Sequence, residues 1–322
     1  FQLDLHLNPF PMSSNDRPIS VQPGVNQNGR LTALVTCGSD KVGKEITRHL
    51  VKNGYDVIIT GKDKQKLEAT VEEMNQVESN QNVTPIYFNQ RNFNQVQAEM
   101  GSLSNNRFNV VVLCASGNHP EGEALSGTAD YLDNVHVGFR LNVLCHFLIV
   151  RHLFSNIDRI RSTRFVLVAP NPKGYLIDSP LNIPNDVSRF DDFFKEGKDH
   201  MKNDGWNNYT RIGLMVIAKY LNKQNIPAVM ISPVECVEKV RLPNPLCNMF
   251  IQEVSPMKMA STVYDKTLKE GSIVPLPDQN EWLNGENPTS MNFSDNQFDA
   301  FITYMNSKTN HYMRNNSARN NS

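Results

Sequence analysis

The chain has 322 residues, with 32 Lys+Arg against 33 Asp+Glu, a formal net charge of -1 and a mean hydropathy of -0.44. Balanced charge removes any compositional demand for a basic face, so nucleic acid is not an expected partner. No run reaches the roughly 18 consecutive apolar residues of a membrane-spanning helix, so a membrane is not expected either. The five cysteines, Cys37, Cys114, Cys145, Cys236 and Cys247, are odd in number and widely spaced, as buried thiols of a reducing compartment are; a soluble, cytoplasmic protein is the expectation.

In chain order, residues 1–29 carry Pro, Asn, Ser and Gly without a sustained period and read as an extended or disordered arm. An apolar run at Leu31–Thr36 is followed by a helical stretch at Lys41–Asn53, with Val42, Ile46 and Leu50 at helix spacing, and by a second apolar run at Asp56–Thr60. The alternation continues with a charged helix at Lys62–Asn75, a strand at Val83–Phe88, a helix at Phe93–Gly101 and the apolar strand Asn109–Ala115. Then come a long helix at Val135–Phe154, a strand at Arg164–Ala169, a helix at Trp206–Lys223, a strand at Ile226–Ser232, a helix at Met257–Glu270 and a strand at Ser272–Leu276. Strands that are apolar throughout and separated by helices predict an α/β, Rossmann-like, doubly wound parallel sheet flanked by helices on both faces. The domain spans 30–277, with an insertion at about 171–203, and an Asn/Ser-rich extension at 278–322 is expected to lie on the surface.

Cys37-Gly38-Ser39-Asp40-Lys41-Val42-Gly43 after the first strand, Val110-Val111-Val112-Leu113-Cys114-Ala115-Ser116-Gly117 at the fourth, Arg140-Leu141-Asn142-Val143 in the long helix and Ile226–Pro233 arrive in a specific order. As a set they resemble the short-chain dehydrogenase/reductase family. The resemblance implies a first turn whose glycines let the backbone lie against a cofactor pyrophosphate at a helix N-terminus. Its three glycines fall on Cys37, Lys41 and Gly43, with Gly38 as an extra, and Gly43 reads as the helix-packing glycine kept for the fold. Lys62 stands after the second strand without a carboxylate for a ribose 2′-hydroxyl, which suits NADP over NAD. The cofactor-binding residues implied are Gly38, Lys41, Gly43, Lys62 and Asn89, if a dinucleotide binds at all.

The family's chemistry needs a Tyr acid, a Lys four residues later, a Ser and a helix Asn. Asn142 matches the last. Pro170 stands at the Ser position, Asn207 at the Tyr position and Arg211 at the Lys position, and neither an Asn nor an Arg titrates usefully. Tyr209 is the nearby phenol, about 200° around the helix from Asn207. Tyr304-Met305-Asn306-Ser307-Lys308 reads as a coincidental match. Asn142, Tyr209 and Arg211 are therefore a remnant or rearranged catalytic set, and no cofactor is expected, NADP if any.

Phe190, Phe193 and Phe194 in the insertion suit one face of a capping helix, with a lid or partner-binding element as the alternative. The eight histidines show no metal-ligand spacing, and Cys37 and Cys114 read as small space-filling residues. The expected function is a catalytically degenerate short-chain dehydrogenase-like pseudoenzyme acting as a binding, scaffolding or regulatory module. The alternatives are an NADP-dependent oxidoreductase with a rearranged site, using Tyr209 or Tyr175, and a dinucleotide-binding sensor without turnover. A protein partner or self-association is expected. The specific expectation is a homodimer through Val135–Phe154 and Trp206–Lys223, because Ile212, Met215, Val216, Ile217, Tyr220 and Leu221 do not fit one inward stripe.

Overall fold

The computed structural model describes residues 30–77, 82–90, 92–103, 106–114, 131–132, 135–154, 163–169, 183–194, 205–231 and 294–320. Strands β1 (Leu31–Val35), β2 (Tyr55–Gly61), β3 (Val83–Tyr87), β4 (Val110–Cys114), β7 (Arg164–Val168) and β8 (Ala228–Ile231) form one sheet in the order β3-β2-β1-β4-β7-β8. Every pairing in it is parallel, with Leu31 to Val35 opposite Tyr55 to Ile59 and Val110 to Cys114 opposite Arg164 to Val168. A two-residue pair, β5 (Tyr131–Leu132) with β6 (Val135–His136), is antiparallel. The chain winds outward from β1 to β3 and then returns to β4 on the other side of β1. The carboxyl ends of β1 and β4 thus flank the switch point where ligands of such sheets bind.

All five residues of β4 are buried, because helices cover both faces and leave no solvated side for polar residues. Alternate residues feed two cores. Ala33, Val35, Val57, Ile59 and Val112 pack with Ile46 and Leu50 of α1 (Lys41–Lys52) and Leu67 and Met74 of α2 (Lys64–Val77). Leu34, Val111, Leu113, Phe165 and Leu167 pack with the second set of helices. These are α3 (Phe93–Ser102), α4 (Val137–Phe154) and α5 (Gly205–Lys223). α4 opens into a wider π-helical turn at Arg140–Leu144. It is the one helix among the described residues long and apolar enough to cross a membrane, and 72% of it is buried inside the fold.

The expected α/β architecture is therefore the observed one, and the strand and helix spans agree within a few residues. The helix at Met257–Glu270 and the strand at Ser272–Leu276 lie outside the described residues, as does the arm at 1–29.

One expectation needs correction. The Asn/Ser-rich extension does not simply run over the surface, because Asp295–Asn320 forms α6 and Phe298, Phe301, Ile302, Tyr304, Met305 and Tyr312 on it are buried. Ser294 and Gln297 cap it reciprocally: the Gln297 amide N–H donates to Ser294 Oγ at 3.2 Å and the Ser294 amide N–H to Gln297 Oε1 at 3.0 Å. That is a capping box, and positions 298, 301, 302 and 305 follow at helix spacing. Asn/Ser abundance concealed both signals.

α6 joins the core containing α3, α4 and α5. Ile212, Val216, Ile217 and Leu221 of α5 are fully buried, Tyr220 is nearly so, and Met215 is half-buried. The chain thus covers these residues itself, using the sheet, α4 and α6. A helix between two layers can bury more than one stripe, and this removes the packing argument on which the expected dimer contact rested.

Candidate functional site

The turn after β1 is built by close backbone approach. Cys37 has φ 51°, the left-handed region that costs a non-glycine residue about 1 kcal/mol or more. The Gly38 amide N–H donates to the Thr60 carbonyl at 3.0 Å, and the Asp40 amide N–H to the Cys37 carbonyl at 3.0 Å. A Cβ on Gly38 would lie 2.6 Å from Ile59 Cγ2, so β2 demands glycine there. A Cβ on Gly43 would meet the Cys37 carbonyl; Gly43 is the packing glycine the sequence suggests.

Two side chains occupy the edges of this turn. The Gln90 amide donates to Cys37 Sγ at 3.6 Å, joining the turn to the segment after β3. Asp40 precedes α1 and makes no capping bond to it; instead its carboxylate accepts from Lys66 Nζ of α2 at 2.6 Å. A carboxylate at the positive end of a helix is favourable, so α1 is complemented from within the chain.

Lys41 and Lys62 are exposed at the same end of the sheet. Asn89 lies beside α3, its amide N–H donating to Gln95 Oε1 at 3.1 Å and its carbonyl accepting from the Asn92 amide at 2.8 Å. Burial first, then Asp40, pushes the Cys37 thiol up to about 12, and burial pushes Cys114 and Cys145 up as well. Burial works against thiolate formation at all three, in keeping with the reading of Cys37 and Cys114 as space-filling residues.

Asn142 is buried in the wide turn of α4, and its carbonyl accepts from His146 Nδ1 at 2.7 Å. Because a carbonyl only accepts, Nδ1 carries the proton, and Nε2 accepts from the Thr36 hydroxyl at 3.1 Å. The Thr36 oxygen in turn accepts from the Cys114 amide at 2.8 Å. This chain ties α4 to the carboxyl ends of β1 and β4. Burial holds His146 down at about 4. Sequence reasoning did not single out Thr36, Asp40, Gln90 or His146, because each acts through a partner far along the chain.

Tyr209 is 8% exposed, with its ring 5.0 Å from Phe193 and 5.5 Å from Phe194. Arg211 is half-buried, and desolvation lowers its pKa. Pro170, Asn171 and Tyr175 lie outside the described residues, and of Asn207 only the backbone is described, within α5. Phe190 and Phe194 are buried on the core, as the capping-helix reading expects.

Tyr304 and Lys308, the Tyr-x-x-x-Lys match, meet at one carboxylate. Tyr304 Oη donates to Asp191 Oδ1 at 3.1 Å, and Lys308 Nζ reaches the two carboxylate oxygens at 2.8 and 3.1 Å. Burial and then Asp191 drive the Tyr304 phenol far up. A phenol pinned to a carboxylate is the reverse of one acidified for proton transfer, so the trio is a structural tie. It borders a cleft of about 300 Å³ with Val187, Ser188, Ser307 and His311. Among the described residues no group of three His, Cys, Asp or Glu side chains is placed to hold a metal.

Residues 31–171 match the family model described as short chain dehydrogenase. A comparison with curated proteins gives no match. Among solved structures, a β-ketoacyl-[ACP] reductase from Bacteroides thetaiotaomicron is similar with a TM-score of 0.53 at 14% identity, covering 76% of this chain and 93% of its own. An NADPH dependent reductase involved in bacilysin biosynthesis gives 0.52 at 13% identity, covering 77% and 95%. A metagenomic short-chain oxidoreductase in complex with NADP gives 0.50 at 16% identity, covering 76% and 93%. At such identities the likeness to these structures is one of fold.

Proposed function

From the premise that residues 31–171 of this chain belong to the short-chain dehydrogenase family, we propose that it is a catalytically degenerate member working as a binding, scaffolding or regulatory module. The observation that carries the reading is Asp40. The family turn offers a phosphate the N-terminus of a helix, and here that end of α1 already has a carboxylate, held by Lys66 at 2.6 Å. A phosphate oxygen would have to share that helix end with a carboxylate, and the Lys66 ammonium that could have paired with it is already engaged. The Cys37 side chain and its Gln90 partner crowd the same turn.

The expected result is that NADPH and NADH leave the melting temperature unchanged. A bound ligand at 100 times its Kd would stabilise the fold by about 2.7 kcal/mol, so clear stabilisation at micromolar nucleotide overturns the reading in favour of a dinucleotide sensor or an enzyme.

Lys62 at the end of β2 and the NADP bound to one similar fold favour a second reading, an NADP-dependent oxidoreductase with a rearranged site. Its phenol would be Tyr209 or Tyr175, and the Tyr209 ring packs against Phe193 and Phe194. Turnover on carbonyl and alcohol panels is therefore expected at background. Steady activity abolished by Tyr209→Phe would establish the second reading instead.

A further inference from the structure

We infer that the open cleft between residues 187–191 and α6 is a binding site for a small uncharged polyol, a sugar or cyclitol whose neighbouring hydroxyls bridge Asp191 and Lys308. None of its residues belongs to the turn after β1, so it goes beyond the reading given above and stands whether or not a dinucleotide binds there.

The cleft has a volume of about 300 Å³, the lower end of the range for small-ligand pockets. Two segments more than a hundred residues apart make its walls. Ser188 and Asp191 stand on one side, and Ser307, Lys308 and His311 of α6 on the other, with Ser307 and His311 exposed.

The polar centre of the cleft is fixed before any ligand arrives. Asp191 is 45% exposed, and its carboxylate accepts from Tyr304 Oη at 3.1 Å and from Lys308 Nζ at 2.8 and 3.1 Å. The Tyr304 ring stacks on Phe190 at 5.0 Å and on Phe194 at 5.5 Å, and both of those rings are buried. An acceptor tied to the core in this way needs little further ordering when a ligand binds, and that ordering is one of the main costs of association. Burial and then Asp191 keep the Tyr304 phenol protonated, so it stays a donor and Asp191 an acceptor through the neutral range.

Charge selects the ligand. The lining holds one carboxylate and one ammonium, so an anion meets Asp191 and an organic cation meets Lys308. A hydroxyl suits both, because it donates to an ionised carboxylate or accepts from an ammonium, and such bonds are stronger than those between neutral groups. A carboxylate offers about four lone-pair sites, and the three bonds named above leave room for a ligand on the exposed side of Asp191. Lys308 Nζ and Asp191 Oδ1 stand 2.8 Å apart, close to the separation of gauche hydroxyls on adjacent carbons. One hydroxyl of such a pair donates to Asp191 while its neighbour accepts from Lys308. Ser188 and Ser307 add to the same lining two hydroxyls that both donate and accept.

The test uses the full chain with D-glucose and myo-inositol as probes, read by saturation transfer from protein to probe in proton NMR. At least one probe is expected to half-saturate the site below about 10 mM, a modest affinity suited to an open cleft. Ser307→Trp fills the cleft from an exposed position and is expected to weaken binding at least tenfold. Asp191→Asn keeps the shape of the wall but removes the charge, with the same expected loss, and decides the matter if Ser307→Trp does not fold. No transfer to either probe overturns the inference, as does transfer that survives in the folded variants. Displacement of the probe by inorganic phosphate at constant ionic strength overturns it in favour of an anion site. The dinucleotide titration reads the turn after β1 and this one reads the cleft, so the two readings fail separately.

Discussion

Gly43→Ala is expected to lower the stability of the fold by about 2 to 3 kcal/mol, the range of overpacking in a site that cannot yield. The direction is informative because alanine is the better helix former by about 1 kcal/mol, and Gly43 lies inside α1. The added Cβ would meet the Cys37 carbonyl oxygen, would lie 2.9 Å from the carbonyl carbon and 3.1 Å from Gly38 Cα. All three are backbone atoms of a turn pinned to β2 by the Gly38 bond to Thr60, so no rotamer change relieves the contact. Gly101 near the end of α3 has nothing within 4 Å of such a Cβ, and Gly101→Ala is expected to stabilise by about 0.5 to 1 kcal/mol. Urea denaturation of both variants measures the contrast, and a Gly43→Ala protein as stable as its parent would refute this account of the turn.

Acidification is expected to cost the fold about 2 kcal/mol between pH 7 and pH 5 through His146 alone. The unfolded chain takes a proton on this residue near the usual 6.5, whereas the folded chain does so only near 4. Between those values the unfolded state binds more protons, so the stability is fully present above about 6.5 and drains away as pH falls toward 4. The cause is burial, which strips the imidazolium of water where His146 is held between Thr36 and the Asn142 carbonyl, and the Asn142 bond offsets it only in part. Urea midpoints measured across that range should fall steeply in the unmodified protein and less steeply in His146→Gln. Identical slopes would place the titration elsewhere.

Much of the fold was legible because its signals are local. Unbroken apolar runs such as Val110–Cys114, separated by helices with apolar residues four apart, such as Val42, Ile46 and Leu50 of α1, require a parallel sheet covered on both faces. Gly43 was legible as a packing glycine because the order of landmarks around it fixed its place at the start of α1. The absence of Tyr and Lys from Asn207 and Arg211 was likewise a matter of reading two positions.

The candidate site was less legible, and α6 least of all. Nothing in Asp40 announces Lys66, 26 residues away, nor in Cys37 its contact with Gln90, 53 residues on, nor in Thr36 the imidazole 110 residues later. Composition pointed the Asn/Ser-rich tail toward solvent, whereas packing turned Phe298, Phe301, Ile302 and Met305 onto the core. The sequence alone determined the six strands of the sheet and the helices α1 to α5, since the period of apolar residues is a property of a dozen neighbours. Only the tertiary structure decided which side chains fill the turn after β1 and what covers α4 and α5, since those pairings depend on which distant segments the packed sheet brings within a few ångströms.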